Sequence, residues 1–324
     1  ETIRTGLAEI FGCDREEIAI TRNASESLEI LLMGMDFKSG DEILTTTQDY
    51  PRMLTTLRQR EAREGLVLKT IRVPIAPKRL DDIAKEFEKA ITPKTRVILM
   101  SHVINLTGQI TPVKQVCELA ESKGIEVIVD GAHSFAHFEF KQSDLGCDYY
   151  GTSLHKWLFA PKGTGLLFVK KDKIEKIWPL MAAEKKQAND IRKFEEIGTH
   201  PAAPRLAIGE AILFHNGIGA KRKEARLRYL SRYWMNKVKD LPNVRFHTSW
   251  EPNQSCGIAN VEIEGIDPGK LGSYLMDKHK IFTTAILHDE FKGTRITPSV
   301  YTTLNELDRF TEVMTTVAKK GLPS

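Results

Sequence analysis

Val127-Ile128-Val129-Asp130-Gly131-Ala132-His133 is an apolar run that stops on a carboxylate, a glycine and a histidine. Such a run, with no polar residue alternating through it, suits a strand buried on both faces of a sheet. Upstream, Val97-Ile98-Leu99-Met100 has the same character. Glu17-Ile18-Ala19-Ile20-Thr21, Glu42-Ile43-Leu44-Thr45 and Leu66 to Val73 read as further strands. Helical stretches lie between them: Ser25 to Met35, Pro51 to Glu64, Asp81 to Ala90, and Val113 to Ser122, with Pro112 where a first turn accepts it. Strands alternating with helices as far as about residue 170 predict an α/β fold with a mainly parallel, doubly wound sheet.

The pattern then changes. Residues 201 to 240 look almost wholly helical, broken at Gly217-Ile218-Gly219. Strands at Val244 to Phe246, Ile258 to Ile263, Ile281 to Thr284 and Thr294 to Thr297 follow, with helices at Pro268 to Lys278 and Leu304 to about Lys320. The expected division is a large domain over residues 1–215 and a smaller C-terminal α/β domain over 216–324.

The 324 residues are 41% hydrophobic and 28% charged, as in ordinary globular proteins. Lys and Arg number 47 against 43 Asp and Glu, a net charge of +4 spread along the chain. The densest basic run, Lys221-Arg222-Lys223 on to Arg228, is interleaved with Glu224 and Leu227 and reads as one face of an amphipathic helix, so no nucleic-acid partner is expected. Four scattered cysteines suggest reduced thiols, and no apolar run is long enough to span a bilayer. The expected location is the cytoplasm, although a chain beginning at Glu1 rather than Met is also compatible with a removed export signal.

Three segments at strand ends carry the chemistry, since open α/β sheets place ligands there. Asp130 can be a helix N-cap, a metal ligand, a solvated turn residue or a partner for a protonated ring nitrogen. In Gly151-Thr152-Ser153-Leu154-His155-Lys156-Trp157, Lys156 sits among apolar and aromatic groups, and a partly desolvated lysine is available to a carbonyl carbon. Ser153 and His155, two residues apart, can point together toward a phosphate. Thr21-Arg22-Asn23-Ala24-Ser25-Glu26-Ser27 leads from a strand into a helix whose open N–H groups suit an anion.

In this order the three segments resemble the class V aminotransferase family of pyridoxal-phosphate (PLP) fold type I, in its isopenicillin-N-epimerase-like and cysteine-desulfurase-like branch. The resemblance implies pyridoxal 5'-phosphate as cofactor, Lys156 as its Schiff-base lysine, and Asp130 as partner of the pyridine nitrogen. It places Ala24, Ser25, Ser153 and His155 at the phosphate, Tyr50 stacked on the ring, and Asn105 near the ring's phenolic oxygen. It gives His133 a place on the ring or beside its oxygen, and Arg295 a bidentate grip on the substrate α-carboxylate. Thr199 would reach the phosphate of the neighbouring subunit, which implies a homodimer. Many relatives have glutamine at the place of His133, and relatives usually carry several dozen further residues before the segment that starts here.

The resemblance implies an amino acid substrate and, for an aminotransferase, a keto acid acceptor. Lys156 would remove the α proton, and amino-group transfer is the expected outcome, with epimerisation or elimination as alternatives. Cysteine desulfuration ranks lower, because it needs a thiol shortly before the arginine and no cysteine lies between Ile281 and Arg295. A remote reading is a metal-dependent hydrolase using His133, His137 and Asp130, the two histidines sharing a helical face.

Overall fold

The structure, a computed structural model, describes residues 1–323. The chain forms two compact units. The first comprises Glu1–Val73, Arg79–Val103 and Thr111–Ala220; the second comprises Pro74–Lys78, Ile104–Ile110 and the chain from Lys221 onward. Inclusion of two short internal segments in the second unit has no signature in composition.

The first unit holds a seven-stranded sheet of β1 (Ile18–Thr21), β2 (Glu42–Thr46), β3 (Val67–Ile71), β4 (Thr95–Ser101), β5 (Glu126–Asp130), β6 (Tyr149–Ser153) and β7 (Gly165–Val169), in the order β1-β7-β6-β5-β4-β2-β3. Pairs from β3 through β6 are parallel, and β7 runs antiparallel to both β6 and β1. Strands β1, β2, β4, β5 and β6 therefore deliver their carboxyl ends to one edge of the sheet. The apolar runs that marked β4 and β5 are buried almost throughout, while edge strand β3 is largely half-exposed. The fold is PLP fold type I, α/β with a mostly parallel mixed sheet, as the sequence implied.

Strands β6 and β7, which flank Lys156, are not among those expected from the sequence. β6 is Tyr-Tyr-Gly-Thr-Ser, yet every residue of it is buried. Its polar atoms are satisfied internally: the Thr152 hydroxyl donates to Gly131 O at 2.8 Å and the Tyr150 hydroxyl to the same oxygen at 3.2 Å. β7 is a short apolar run, Gly-Leu-Leu-Phe-Val, that returns beside β6 with no long helix between them. Pro112 is the N-cap residue of the helix Val113–Glu121 rather than part of its first turn.

The second unit has a four-stranded antiparallel sheet of β8 (Val244–Phe246), β9 (Ala259–Ile263), β10 (Thr284–Leu287) and β11 (Lys292–Ile296), in the order β10-β11-β9-β8. Its core joins Leu230, Trp234 and Met235 of the helix Ala220–Val238 to Val261, Leu271, Phe310 and Met314. The strand expected over Ile281 to Thr284 begins only at Thr284. Lys280 takes a left-handed conformation (φ 57°) at the end of the helix Pro268–His279, and Ile281 N bonds back to Leu275 O at 3.0 Å, so this stretch caps the helix. All four cysteines are free, and no helix among the described residues is long and apolar enough to cross a membrane.

Candidate active site

At the carboxyl end of β2, Asp49 binds two strands together. Its Oδ2 accepts from Thr45 Oγ1 (2.8 Å), Thr46 N (2.9 Å) and Thr46 Oγ1 (2.8 Å), and its Oδ1 from Ser101 N at the end of β4 (2.8 Å). The next residue, Tyr50, stands before the helix Pro51–Glu64 with Pro51 at its first position, and it is 43% exposed. An aromatic ring held this far into solvent at a strand end is available to stack on a ligand.

At the end of β5, Asp130 is 6% exposed and its Oδ1 accepts the Ala132 N–H at 2.9 Å. Gly131 follows because a Cβ there would lie 1.9 Å from the Tyr150 ring. Residues 132–137 run as turns rather than a helix, with Ala136 at φ 57°. His133 Nε2 lies 3.1 Å from Lys156 Nζ, and His133 Nδ1 accepts from Trp157 Nε1 at 3.4 Å. The His137 ring stacks on Trp157, centroids 3.6 Å apart, and His137 Nδ1 meets His133 O at 2.7 Å. His137 is thus turned to the indole, and no group of three or more His, Cys, Asp or Glu placed to hold a metal occurs among the described residues.

β6 ends at Ser153, and the short helix Leu154–Trp157 carries His155 and Lys156, both half-buried. Burial lowers the His155 pKa, and Lys156 lowers it further. Ser153 Oγ accepts the Ala24 N–H at 2.9 Å, which fixes the first turn of the helix Ala24–Gly34 beside the lysine. Asn23 caps that helix by accepting the Glu26 N–H at 2.9 Å, and half-buried Ser25 lies in the open turn. Ala24, Ser25, Ser153, His155, Lys156, His133 and Asp130 thus all stand at the carboxyl ends of β1, β5 and β6.

Asn105 and Arg295 belong to the second unit. There Arg295 Nη1 donates to Asn105 O at 3.1 Å and Nη2 to Thr284 Oγ1 at 3.3 Å, while its Nε is buried with no partner among the described residues. Burial lowers the guanidinium pKa, and no carboxylate of the described residues pairs with it. Thr199 is exposed in a bend and makes no hydrogen bond with the Ser25 and Ser153 group.

A family model described as Aminotransferase class-V matches residues 1–310. The chain belongs to this family. Its cofactor is accordingly pyridoxal 5'-phosphate. Similar curated proteins include an isopenicillin N epimerase of Streptomyces clavuligerus, 29% identical over 96% of this chain and 82% of that one. A probable cysteine desulfurase of Halalkalibacterium halodurans is 27% identical over 82% of this chain and 67% of its own. Among solved structures, a cysteine desulfurase of Thermococcus onnurineus NA1 covers 99% of this chain and 84% of its own with a TM-score of 0.85 at 23% identity. A cystine C-S lyase covers 97% and 85% with a TM-score of 0.86 at 24% identity.

The residues of this class V enzyme fit the cofactor. Asp130 is a buried carboxylate with one amide donor and no ion-pair partner among the described residues, and burial pushes its pKa up to about 6. A ring N–H is the donor such a group lacks. Sequence reasoning missed Asp49 and Trp157. Only the Asp-Tyr-Pro sequence, an acid before a helix-starting proline, hinted at the first, and the second entered only as an aromatic neighbour of Lys156.

Proposed function

We propose that this class V enzyme acts on an α-amino acid by removing its α proton with Lys156, and that the proton returns to Cα, as in epimerisation. The observation that carries the proton removal is the Lys156 Nζ···His133 Nε2 contact of 3.1 Å, beside a buried carboxylate, while return to Cα rests on the isopenicillin N epimerase relatives. Pyridoxal 5'-phosphate, when bound, supplies an aldehyde that condenses with amines and an electron-poor ring that takes up the electron pair left at Cα. Lys156 holds that aldehyde, and its freed amine is the base. His133 Nε2 is within hydrogen-bonding reach of that amine.

Asp130 keeps the ring nitrogen protonated. Ala24, Ser25, Ser153 and His155 hold the phosphate, Tyr50 stacks on the ring, and Asn105 stands by its oxygen. Arg295, half-buried and without an acidic partner among the described residues, grips the α-carboxylate through its planar fork. Thr199, exposed in the single chain, serves the phosphate of a second subunit in a homodimer.

Amino-group transfer to a keto acid shares every step up to the return of the proton, and its support is the family description alone. Return to Cα has the isopenicillin N epimerase relatives behind it. Desulfuration has less: burial pushes the Cys13, Cys117 and Cys256 thiols up to about 12, and raises Cys147 well above the usual thiol range, away from the thiolate such a step needs.

Single amino acids are added to the holoenzyme in deuterated water while the cofactor spectrum is followed. Deuterium entering Cα with the cofactor spectrum restored is the expected result. Lasting conversion to the pyridoxamine form supports transfer instead, and no exchange with any amino acid, in parent or Lys156→Ala protein alike, removes the proposal.

A further inference from the structure

Trp157 is 5% exposed and His137, stacked on it with a 3° angle between the rings, is 1% exposed. The indole is therefore clamped, and its N–H is aimed at His133 Nδ1. An indole N–H only donates, so Nδ1 must be bare to receive it. A neutral imidazole with a bare Nδ1 carries its hydrogen on Nε2, and Nε2 is the atom 3.1 Å from Lys156 Nζ. An ammonium has three donors and no lone pair, so it cannot accept that hydrogen; a neutral amine can.

We infer that Trp157 is a positioning residue that fixes His133 as the Nε2–H tautomer, and so holds the Lys156 amine in its unprotonated, reactive form. The inference rests on Lys156 being the reactive amine proposed above and names what sets its protonation. Other titratable groups act on Lys156: Asp130 at the end of β5 and His155 on its own helix. Asp130 feels Asp49 from the end of β2, and His155 feels Lys162. Asp130 favours the ammonium and His155 opposes it, and replacing Trp157 changes neither. The indole acts on this group through the tautomer of His133.

Trp157→Phe keeps an aromatic ring against His137 and removes the N–H. His133 can then carry its hydrogen on Nδ1 and turn a bare Nε2 to Lys156, which favours the ammonium. The full chain, freed of cofactor, is acetylated with limiting acetic anhydride over a range of pH, and Lys156 labelling is read by peptide mass mapping. Near neutral pH the variant is expected to label Lys156 about tenfold more slowly, with its pH midpoint about one unit higher, since one unit is tenfold in free amine. In a His133→Asn background the same replacement is expected to change nothing. An unchanged midpoint, or an equal shift in both backgrounds, overturns the inference, because packing alone would then account for Trp157.

Nitrogen NMR of the histidine-labelled parent protein gives a reading that needs no variant. A bare Nδ1 and a protonated Nε2 on His133 are expected, and the reverse assignment overturns the proposal. Failure of the functional reading looks different: Lys156 then labels like any surface lysine, and Lys156→Ala leaves the spectrum of the bound cofactor unchanged.

Discussion

A carboxyl group enclosed as Asp130 is loses solvation that one amide bond does not restore, and its pKa rises from 3.8 to about 6. The folded chain without cofactor therefore holds this proton where the unfolded chain has released it. The stability this gives is complete below about pH 3.8 and is lost as pH rises through about 6. Asp130→Asn should accordingly stabilise the cofactor-free protein above pH 7 by up to about 3 kcal/mol, two units at 1.36 kcal/mol each, and have little effect near pH 4. Urea melts of variant and parent at the two pH values read this difference, and equal differences at both would show that burial does not govern the group. If Asp130 pairs with the ring nitrogen as proposed, the sign reverses in the holoenzyme, because a neutral amide would leave that nitrogen without its counter-charge and the cofactor would dissociate more readily. Arg295 offers a second test. Arg295→Lys keeps the charge and loses the fork, so KM for the amino acid should rise on the order of 10- to 100-fold with kcat within a few-fold. Steady-state rates of α-deuterium exchange measure it, and a fall in kcat alone would remove Arg295 from carboxylate binding. Asp130 and Lys156 were legible in the sequence: the first is a charge directly after an apolar run, the second a lysine among apolar and aromatic neighbours. Asp49 and Trp157 were not, since their partners, Ser101 and His133, meet them only after the strands have paired.

Elements show the same divide. Strands β4 and β5 were readable because burial on both faces demands apolar side chains. β6 was not, because its Tyr, Thr and Ser residues are buried with their hydroxyls satisfied. β7 was obscured for another reason: it runs back beside β6 and so falls outside the alternation of strand and helix. These two strands nonetheless decide where the turn proposed for the phosphate sits. Gly165, the first residue of β7, faces Thr21 at the end of β1, and a Cβ there would lie 2.6 Å from the Asn23 N and Cα atoms. Gly165→Ala should therefore push the Asn23 turn off the sheet and open the Ala24 N–H bond to Ser153. The expected cost is about 1–3 kcal/mol of stability for the overpacking, together with faster loss of bound cofactor. Thermal melts and dialysis against buffer without cofactor test the two parts. A variant that loses stability but keeps its cofactor would show that the turn is not part of the phosphate site.

The chain as a whole enters its second unit twice before it stays there. The segment Ile104–Ile110 leaves the first unit after Val103 and returns at Thr111, and the second unit holds it by backbone atoms. Asn260 Nδ2 donates to Leu106 O at 3.0 Å, Thr248 Oγ1 to Thr107 O, and Ile110 N to Gln254 O at 2.9 Å. Gly108 turns the segment at φ 77°, with Ile258 O so close that a Cβ would stand 2.1 Å from it. No periodicity reports such bonds, because the side chains of the segment do not make them. They matter to chemistry through Asn105, whose carbonyl takes one arm of Arg295. Asn260 is fully buried, so Asn260→Ala should leave the Leu106 carbonyl without its donor and cost about 1–3 kcal/mol. Hydrogen exchange at the amides of 106–110 should quicken, and KM should rise as Arg295 loses its fixed partner. Lys156, which belongs to the other unit, should acetylate at the parental rate. A fall in Lys156 labelling equal to the rise in KM would mean that the substitution had disturbed the whole fold, and that the segment has no particular part in seating the arginine.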